Sequence, residues 1–147
     1  MIALLQRAAA ASVDIDNERV AEIGSGIVAL VCAQPGDNES VVDRLLERIL
    51  TYRMFADEAG RMNRSVRQSG GGLLLVPQFT LAADTRSGTR PGFSRALPPA
   101  EARVLFDYLC ACARAAHPQV GAGRFGAHMR VSLVNDGPVT FWLELSH

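Results

Sequence analysis

In Pro77-Gln78-Phe79-Thr80-Leu81 a side-chain amide and a hydroxyl, the latter a possible nucleophile, stand two residues apart around an aromatic ring. A hydroxyl that attacks a carbonyl needs a base within hydrogen-bond reach and a group that orients that base. The chain has three histidines, His117, His128 and His147, and none lies in this segment. His117, before Pro118, reads as a helix-end residue, His128 as a surface residue and His147 as a frayed terminus. No His, Asp and Glu cluster has metal-ligand spacing, so neither a metal nor a cofactor is expected. Thr80 therefore reads as a hydrogen-bond donor and positioner, with nucleophilic attack as the open alternative.

The second group is Asn135-Asp136-Gly137-Pro138-Val139-Thr140. Gly-Pro is the dipeptide best able to hold a cis peptide, because the tertiary amide shrinks the trans preference and glycine has no Cβ to meet the ring. Gly137-Pro138 is expected to be cis, turning main-chain carbonyls outward as fixed acceptors. Local pattern alone favours a plainer reading, a hairpin. Asp136-Gly137 separates the apolar runs Val131 to Val134 and Val139 to Leu145, with Pro138 starting the returning strand. Likewise Leu73 to Val76 reads as a buried strand closed by Pro77, with Gln78 and Thr80 as edge polar residues.

The elements that must position these groups are legible in outline. Ile2 to Ala8 and Ser12 to Asp16 read as early strands, and Ile27 to Val31 as a strand buried on both faces. Asp37 or Asn38 caps a helix whose apolar stripe is Val41, Leu45 and Ile49 with Val42, Leu46 and Leu50. Phe55 to Ser69 reads as short strands and turns. Gly70-Gly71-Gly72 precedes the Leu73 strand without a following Gly-Lys-Ser/Thr, so it marks a bulge or close backbone approach rather than a phosphate cradle. Ala82 to Leu97 is a long loop, a length that in a small domain points to function. Pro98-Pro99 opens a second helix that ends at His117-Pro118, and Gly121 to Gly126 is a flexible connection.

Composition narrows the function classes. The 147 residues, 48% of them hydrophobic, suit one domain spanning 1–147 with a real core. All 15 basic residues are arginine and 15 acids balance them, so nucleic acid can be held only by a local patch. Cys32, Cys110 and Cys112 form no CxxC pair and sit in apolar surroundings, as buried thiols of a reducing compartment do. The apolar start is too short for a signal peptide, and no run approaches the ~20 residues of a membrane span. A cytoplasmic protein without membrane contact is expected.

Taken together, in order and across the whole chain, the Pro77 to Leu81 and Asn135 to Thr140 segments resemble the two signatures of the D-aminoacyl-tRNA deacylases, Ser-Gln-Phe-Thr-Leu and Asn-x-Gly-Pro-x-Thr. The resemblance runs from Met1 to Leu143. It implies an α/β fold of three layers, β/β/α, with two packed sheets forming a barrel-like body and two helices on one side. It implies hydrolysis of the ester of D-aminoacyl-tRNA, and of glycyl-tRNA mischarged on tRNA(Ala), as chiral proofreading in translation. The implied catalytic segment is Gln78, Phe79 and Thr80. Gly137 and Pro138 would be the chiral-selectivity motif, entering the partner subunit's site in a homodimer. Arg7, Pro77, Phe125, Met129 and Asn135 would bind substrate, Phe125 beside the 3′-terminal adenosine and Arg7 as support for the Gly-Pro motif.

One departure is Pro77, where the family has serine. Related animal-type deacylases, which edit L-alanine on threonine tRNA, carry Pro-Gln-Ala-Thr-Leu here, whereas this chain keeps Phe79 and Arg7. Two alternatives follow: a relaxed editing enzyme that accepts small L residues, and a non-catalytic nucleic-acid-binding module using Arg61, Arg64, Arg67 and Arg86, Arg90, Arg95.

Overall fold

The computed structural model describes residues 1–146, so the reading of His147 lies outside the described residues. In chain order the elements are β1 (Ile2–Ile15), β2 (Glu18–Ile23), β3 (Gly26–Cys32), α1 (Glu39–Thr51), β4 (Phe55–Ala56), β5 (Met62–Arg64), α2 (Val66–Ser69), β6 (Gly72–Pro77), a 3-10 turn (Phe79–Ala82), α3 (Pro99–Ala116), β7 (Val120–Ala122) and β8 (Arg130–Glu144).

The two early strands expected from the sequence are one long strand, β1, and it organises the sheet. Along one edge its first half, Ile2 to Ala8, pairs antiparallel with β3, and its second half, Ala11 to Ile15, with β2. β8 runs antiparallel along the other edge. β6 lies parallel to β3, and β7 parallel to β6. The sheet then curls back on itself: a methyl placed on Gly121 of β7 would lie 3.2 Å from the Ala21 Cβ of β2. The result is a nearly closed, barrel-like sheet of mixed direction, with a separate two-stranded β4–β5 sheet.

Period-two alternation sorts the side chains into layers. Ile27, Ala29, Val31, Leu73 and Leu75 face the helices, whereas Val28, Leu74 and Val76 meet Val13 and Ile15 inside the barrel. β3 and β6 are thus buried on both faces, as their near-continuous apolar runs require. On α1 all six expected stripe residues are buried. Asn38 is the cap, accepting from the Val41 N–H at 3.2 Å, while Asp37 binds the Met1 amine at 2.8 Å. α3 ends at His117, whose buried ring nitrogen Nε2 lies 2.7 Å from the Gly71 carbonyl.

The glycine run marks close approach. A Cβ on Gly26 would collide with the Gly72 backbone, and one on Gly72 would lie 2.8 Å from Ile23 Cγ2. Other features went unread. Asp16 and Asn17, at φ +50 and +64, join β1 to β2 as a two-residue hairpin of the kind that matches strand twist. Ser65 and Gln68 form a capping box that starts α2, a third, one-turn helix within the stretch expected to hold only strands and turns. Gly121 and Ala122 belong to β7, so the connection to β8 spans 123–129.

The hairpin expected at Asp136-Gly137 is absent. Asn135 stands opposite Ala8 and Thr140 opposite Gln6, so residues 136–139 face Arg7 alone as a loop extruded from one continuous strand. Asn135 explains why the chain continues instead of reversing. Its amide accepts from the Val139 N–H at 3.1 Å and donates to the Val139 carbonyl at 3.0 Å, closing the neck of the loop so that β8 leaves on the line it entered. The Gly137-Pro138 peptide at the tip is cis.

Candidate active site

The parallel strands β3 and β6 end together, Val31 opposite Pro77, and beyond them opens a cavity of about 580 Å³. Proline is tolerated at the last position of β6 because the ladder stops there. The next N–H, of Gln78, donates to the Val31 carbonyl at 2.7 Å and turns the chain across the cavity mouth into the 3-10 turn.

That turn makes a donor cluster. An i to i+3 pattern leaves its first N–H groups without an internal acceptor, and among the described residues those of Phe79 and Thr80 have none. The Gln78 side-chain amide donates to Thr80 Oγ1 in a very short contact. With a lone pair so engaged, the hydroxyl keeps its proton free to donate outward. No imidazole or carboxylate among the described residues bonds to that oxygen, so no side-chain base is in place to activate it. Cys32, buried beside the turn, has its thiol pushed upward by desolvation, and its Sγ lies 3.5 Å from the Phe79 carbonyl.

The opposite wall comes from the 123–129 connection. Phe125 leans on Phe106 of α3 at 6.4 Å between centroids, and Arg103 lies over the Phe125 ring at 5.5 Å. Met129 folds back so that Sδ accepts from the Arg124 N–H at 3.4 Å. His128, exposed as expected, also borders the cavity. The remaining side is Phe93 from the long loop. Reading the residues missed Arg103, Cys32, Phe106 and Phe93; only Phe93 left a signal, as a lone aromatic in a polar loop.

The expected site residues therefore divide. Pro77, Gln78, Phe79, Phe125 and Met129 line the cavity, with Thr80 on the adjoining turn. Arg7, Asn135, Gly137 and Pro138 form a second group. Arg7 Nε donates to the Asp136 carbonyl and Nη1 to the Met54 carbonyl, both at 2.9 Å. The Asn135 amide is used entirely within the chain, on Val139 and the Arg7 carbonyl. It shapes the loop with both amide hydrogens and one of the two lone pairs of Oδ1. Arg7 pairs with Ile27 and Ile2 with Cys32, so the loop sits five residues down the sheet from the cavity, roughly 16 Å at ~3.3 Å per residue.

Among the described residues no group of three or more His, Cys, Asp or Glu side chains is placed to hold a metal ion. No helix is long and apolar enough to cross a membrane.

The fold thus carries a donor-rich turn at the ends of β3 and β6, beside which no acid–base triad is found among the described residues. Residues 4–144 match the family model described as D-Tyr-tRNA(Tyr) deacylase. A D-aminoacyl-tRNA deacylase of Azotobacter vinelandii is 62% identical, with 98% of this chain and 99% of that protein covered. One of Stenotrophomonas maltophilia is 61% identical, at 98% and 99% coverage. Among solved structures, a c-Myc DNA unwinding element binding protein superposes with a TM-score of 0.94 at 33% identity over all of both chains. A probable eukaryotic D-amino acid tRNA deacylase shares the fold, at a TM-score of 0.87 and 14% identity. The chain belongs to the D-Tyr-tRNA(Tyr) deacylase family and is a hydrolase.

Proposed function

We propose that this enzyme hydrolyses the ester joining a D-amino acid to the 3′-terminal adenosine of tRNA, and that its working form is a homodimer in which each cavity is completed by the partner's Gly137-Pro138 loop. The observation that carries this reading is the separation of the two motifs within one chain. The 136–139 loop stands roughly 16 Å down the sheet from its own cavity, a separation that pairing with a second chain would bridge. Two further features support pairing: β8 has no second strand neighbour among the described residues, and its outer face exposes Trp142 (51%) and Val134 (61%).

An aminoacyl ester is already activated, and a neighbouring ribose hydroxyl of the substrate can help to activate the attacking water. The protein's task is to place the ester and hold the charge that develops on its carbonyl oxygen. The free N–H groups of Phe79 and Thr80, with the Thr80 hydroxyl oriented by Gln78, are the donors for that oxygen; removing one such donor typically costs about 3 kcal/mol of transition-state stabilisation. Phe125, which lines the cavity beside Phe106 with Arg103 over its ring, gives adenine an aromatic and cationic wall to pack against.

Chirality is set by exclusion. The main chain of the inserted Gly137-Pro138 loop binds the substrate amino group and leaves no room for a side chain in the L position. Arg7 and Asn135 make that wall rigid, which strong discrimination requires. Glycine has no side chain to exclude, so glycyl-tRNA is a substrate as well. The test is a panel of tRNAs charged with a D-amino acid, glycine, a small L-amino acid and a large L-amino acid. Turnover of the first two alone supports the reading. Rapid turnover of small L residues makes the enzyme a relaxed editor shaped by Pro77, and tRNA binding without turnover would mark a non-catalytic binding module.

A further inference from the structure

We infer that Phe93 is a positioning residue for the reaction, acting through the Phe79 ring to fix the peptide that presents the Thr80 N–H. This rests on the deacylase reading above and adds a residue to it. The long loop after the 3-10 turn is pinched shut by two backbone bonds, Asp84 N–H to the Gly92 carbonyl at 2.7 Å and Gly92 N–H to the Asp84 carbonyl at 3.1 Å. The pinch delivers the next residue, Phe93, onto Phe79, with ring centroids 5.1 Å apart in an edge arrangement. The Phe93 carbonyl accepts from the Ala96 N–H at 3.1 Å, which fixes its own backbone.

Phe79 needs such support, because its side chain is 55% exposed and gains little hold from the core. Cys32 Sγ lies 3.5 Å from the Phe79 carbonyl and 3.4 Å from the Ala33 carbonyl, so its one proton is shared between the two. In a trans peptide the carbonyl and the following N–H point in opposite directions. The direction in which the Phe79 oxygen is held therefore sets, on the opposite side of that peptide, the direction of the Thr80 N–H. The ring contact with Phe93 and the shared thiol contact thus both bear on Phe79, one through its side chain and one through its carbonyl. Phe93 is itself 42% exposed, so shortening it opens no sealed cavity in the core.

The experiment is steady-state deacylation of D-aminoacyl-tRNA by the full-length protein carrying Phe93→Ala, Phe93→Leu, Phe93→Tyr, Phe79→Leu or the Phe79→Leu/Phe93→Ala pair. Misplacing one donor without removing it should lower kcat roughly tenfold in Phe93→Ala with KM within about twofold. Phe93→Leu should fall in between, and Phe93→Tyr, which keeps the aromatic edge, should restore the rate. In the Phe79→Leu background Phe93→Ala should cost nothing more, since the ring it acts through is gone. A raised KM at unchanged kcat, an additive loss in the pair, or unchanged rates in both Phe93→Ala and Phe93→Leu would overturn the inference. Should Phe93→Ala fail to fold, the Leu and Tyr variants decide by the same pattern. A wild-type protein that hydrolyses no aminoacyl-tRNA refutes the parent reading, whereas an active wild type with indifferent Phe93 variants refutes this one alone.

Discussion

Asn135→Asp changes two atoms' chemistry and almost no volume, which makes it the most revealing single substitution in the Gly137-Pro138 loop. The amide now donates to the Arg7 carbonyl at 3.2 Å and the Val139 carbonyl at 3.0 Å, and accepts from the Val139 N–H at 3.1 Å. The carboxylate keeps the acceptor bond and turns both donor bonds into oxygen–oxygen contacts. Two bonds at about 1 kcal/mol each, plus two half-buried carbonyls left unsatisfied, come to about 3 kcal/mol against the closed loop. Attraction between the new charge and Arg7, 2.9 Å from the Asp136 carbonyl, returns part of that. At 1.4 kcal/mol per tenfold change, the closed population falls by about 10- to 100-fold if the loop was only marginally closed before. The assays are single-turnover hydrolysis of D-aminoacyl-tRNA and hydrogen exchange at the Val139 N–H. We expect the rate to drop by that range and Val139 to exchange faster, with the fold intact. A full rate together with unchanged protection would refute the view that Asn135 builds the loop that builds the site.

Thr80→Ala should reduce kcat by about 100-fold yet leave turnover above the uncatalysed rate, because the backbone donors remain; a covalent acyl adduct trapped on Thr80 of the wild type would contradict it. Gly26→Ala should cost at least about 2–4 kcal/mol, read as a lowered melting temperature or loss of soluble protein, since its Cβ has only the Gly72 backbone to occupy. Cys110, buried with its thiol pushed up to about 11, and Cys32, also raised by burial, should resist alkylation at pH 8, while the half-exposed Cys112 labels first by mass spectrometry. Because the folded Cys110 thiol holds its proton more tightly than an ordinary thiol near pH 9, its contribution to stability should persist below pH 9 and fade as pH rises toward 11.

What was legible in the sequence was whatever local pattern dictates. The Val41 and Val42 stripes placed α1 on the sheet, the continuous apolar runs marked β3 and β6 as buried on both faces, and the glycine run signalled backbone contact. The cavity residues Pro77, Gln78, Phe79, Phe125 and Met129 came from resemblance, because nothing in their spacing tells that β6 and the 123–129 connection meet. Local pattern failed where a side chain overrides it. Asp136-Gly137 reads as a hairpin until Asn135 is seen to stitch Val139 across the loop neck. Arg103 was invisible because its contact, to Phe125, is long-range, and Phe93, which meets Phe79, left only the signal of a lone aromatic in a polar loop. The Ser65 capping box and the Asp16-Asn17 turn were in plain sight and went unread.

The most direct test of the composite site is complementation between two defective chains. Gly137→Ala places a Cβ 2.6 Å from the Val139 N atom at a residue with φ +152, which should ruin the loop and spare the cavity. Thr80→Ala damages the turn and spares the loop. Each variant alone should hydrolyse D-aminoacyl-tRNA poorly. When the two are co-expressed and purified as a heterodimer through different tags, one cavity has an intact turn facing an intact loop from the partner. The expected result is recovery of about half the wild-type rate on D-aminoacyl-tRNA, with L-aminoacyl-tRNA still spared. A heterodimer no more active than its parents, or a fully active wild-type monomer in sedimentation, would contradict the proposal that two chains build each site.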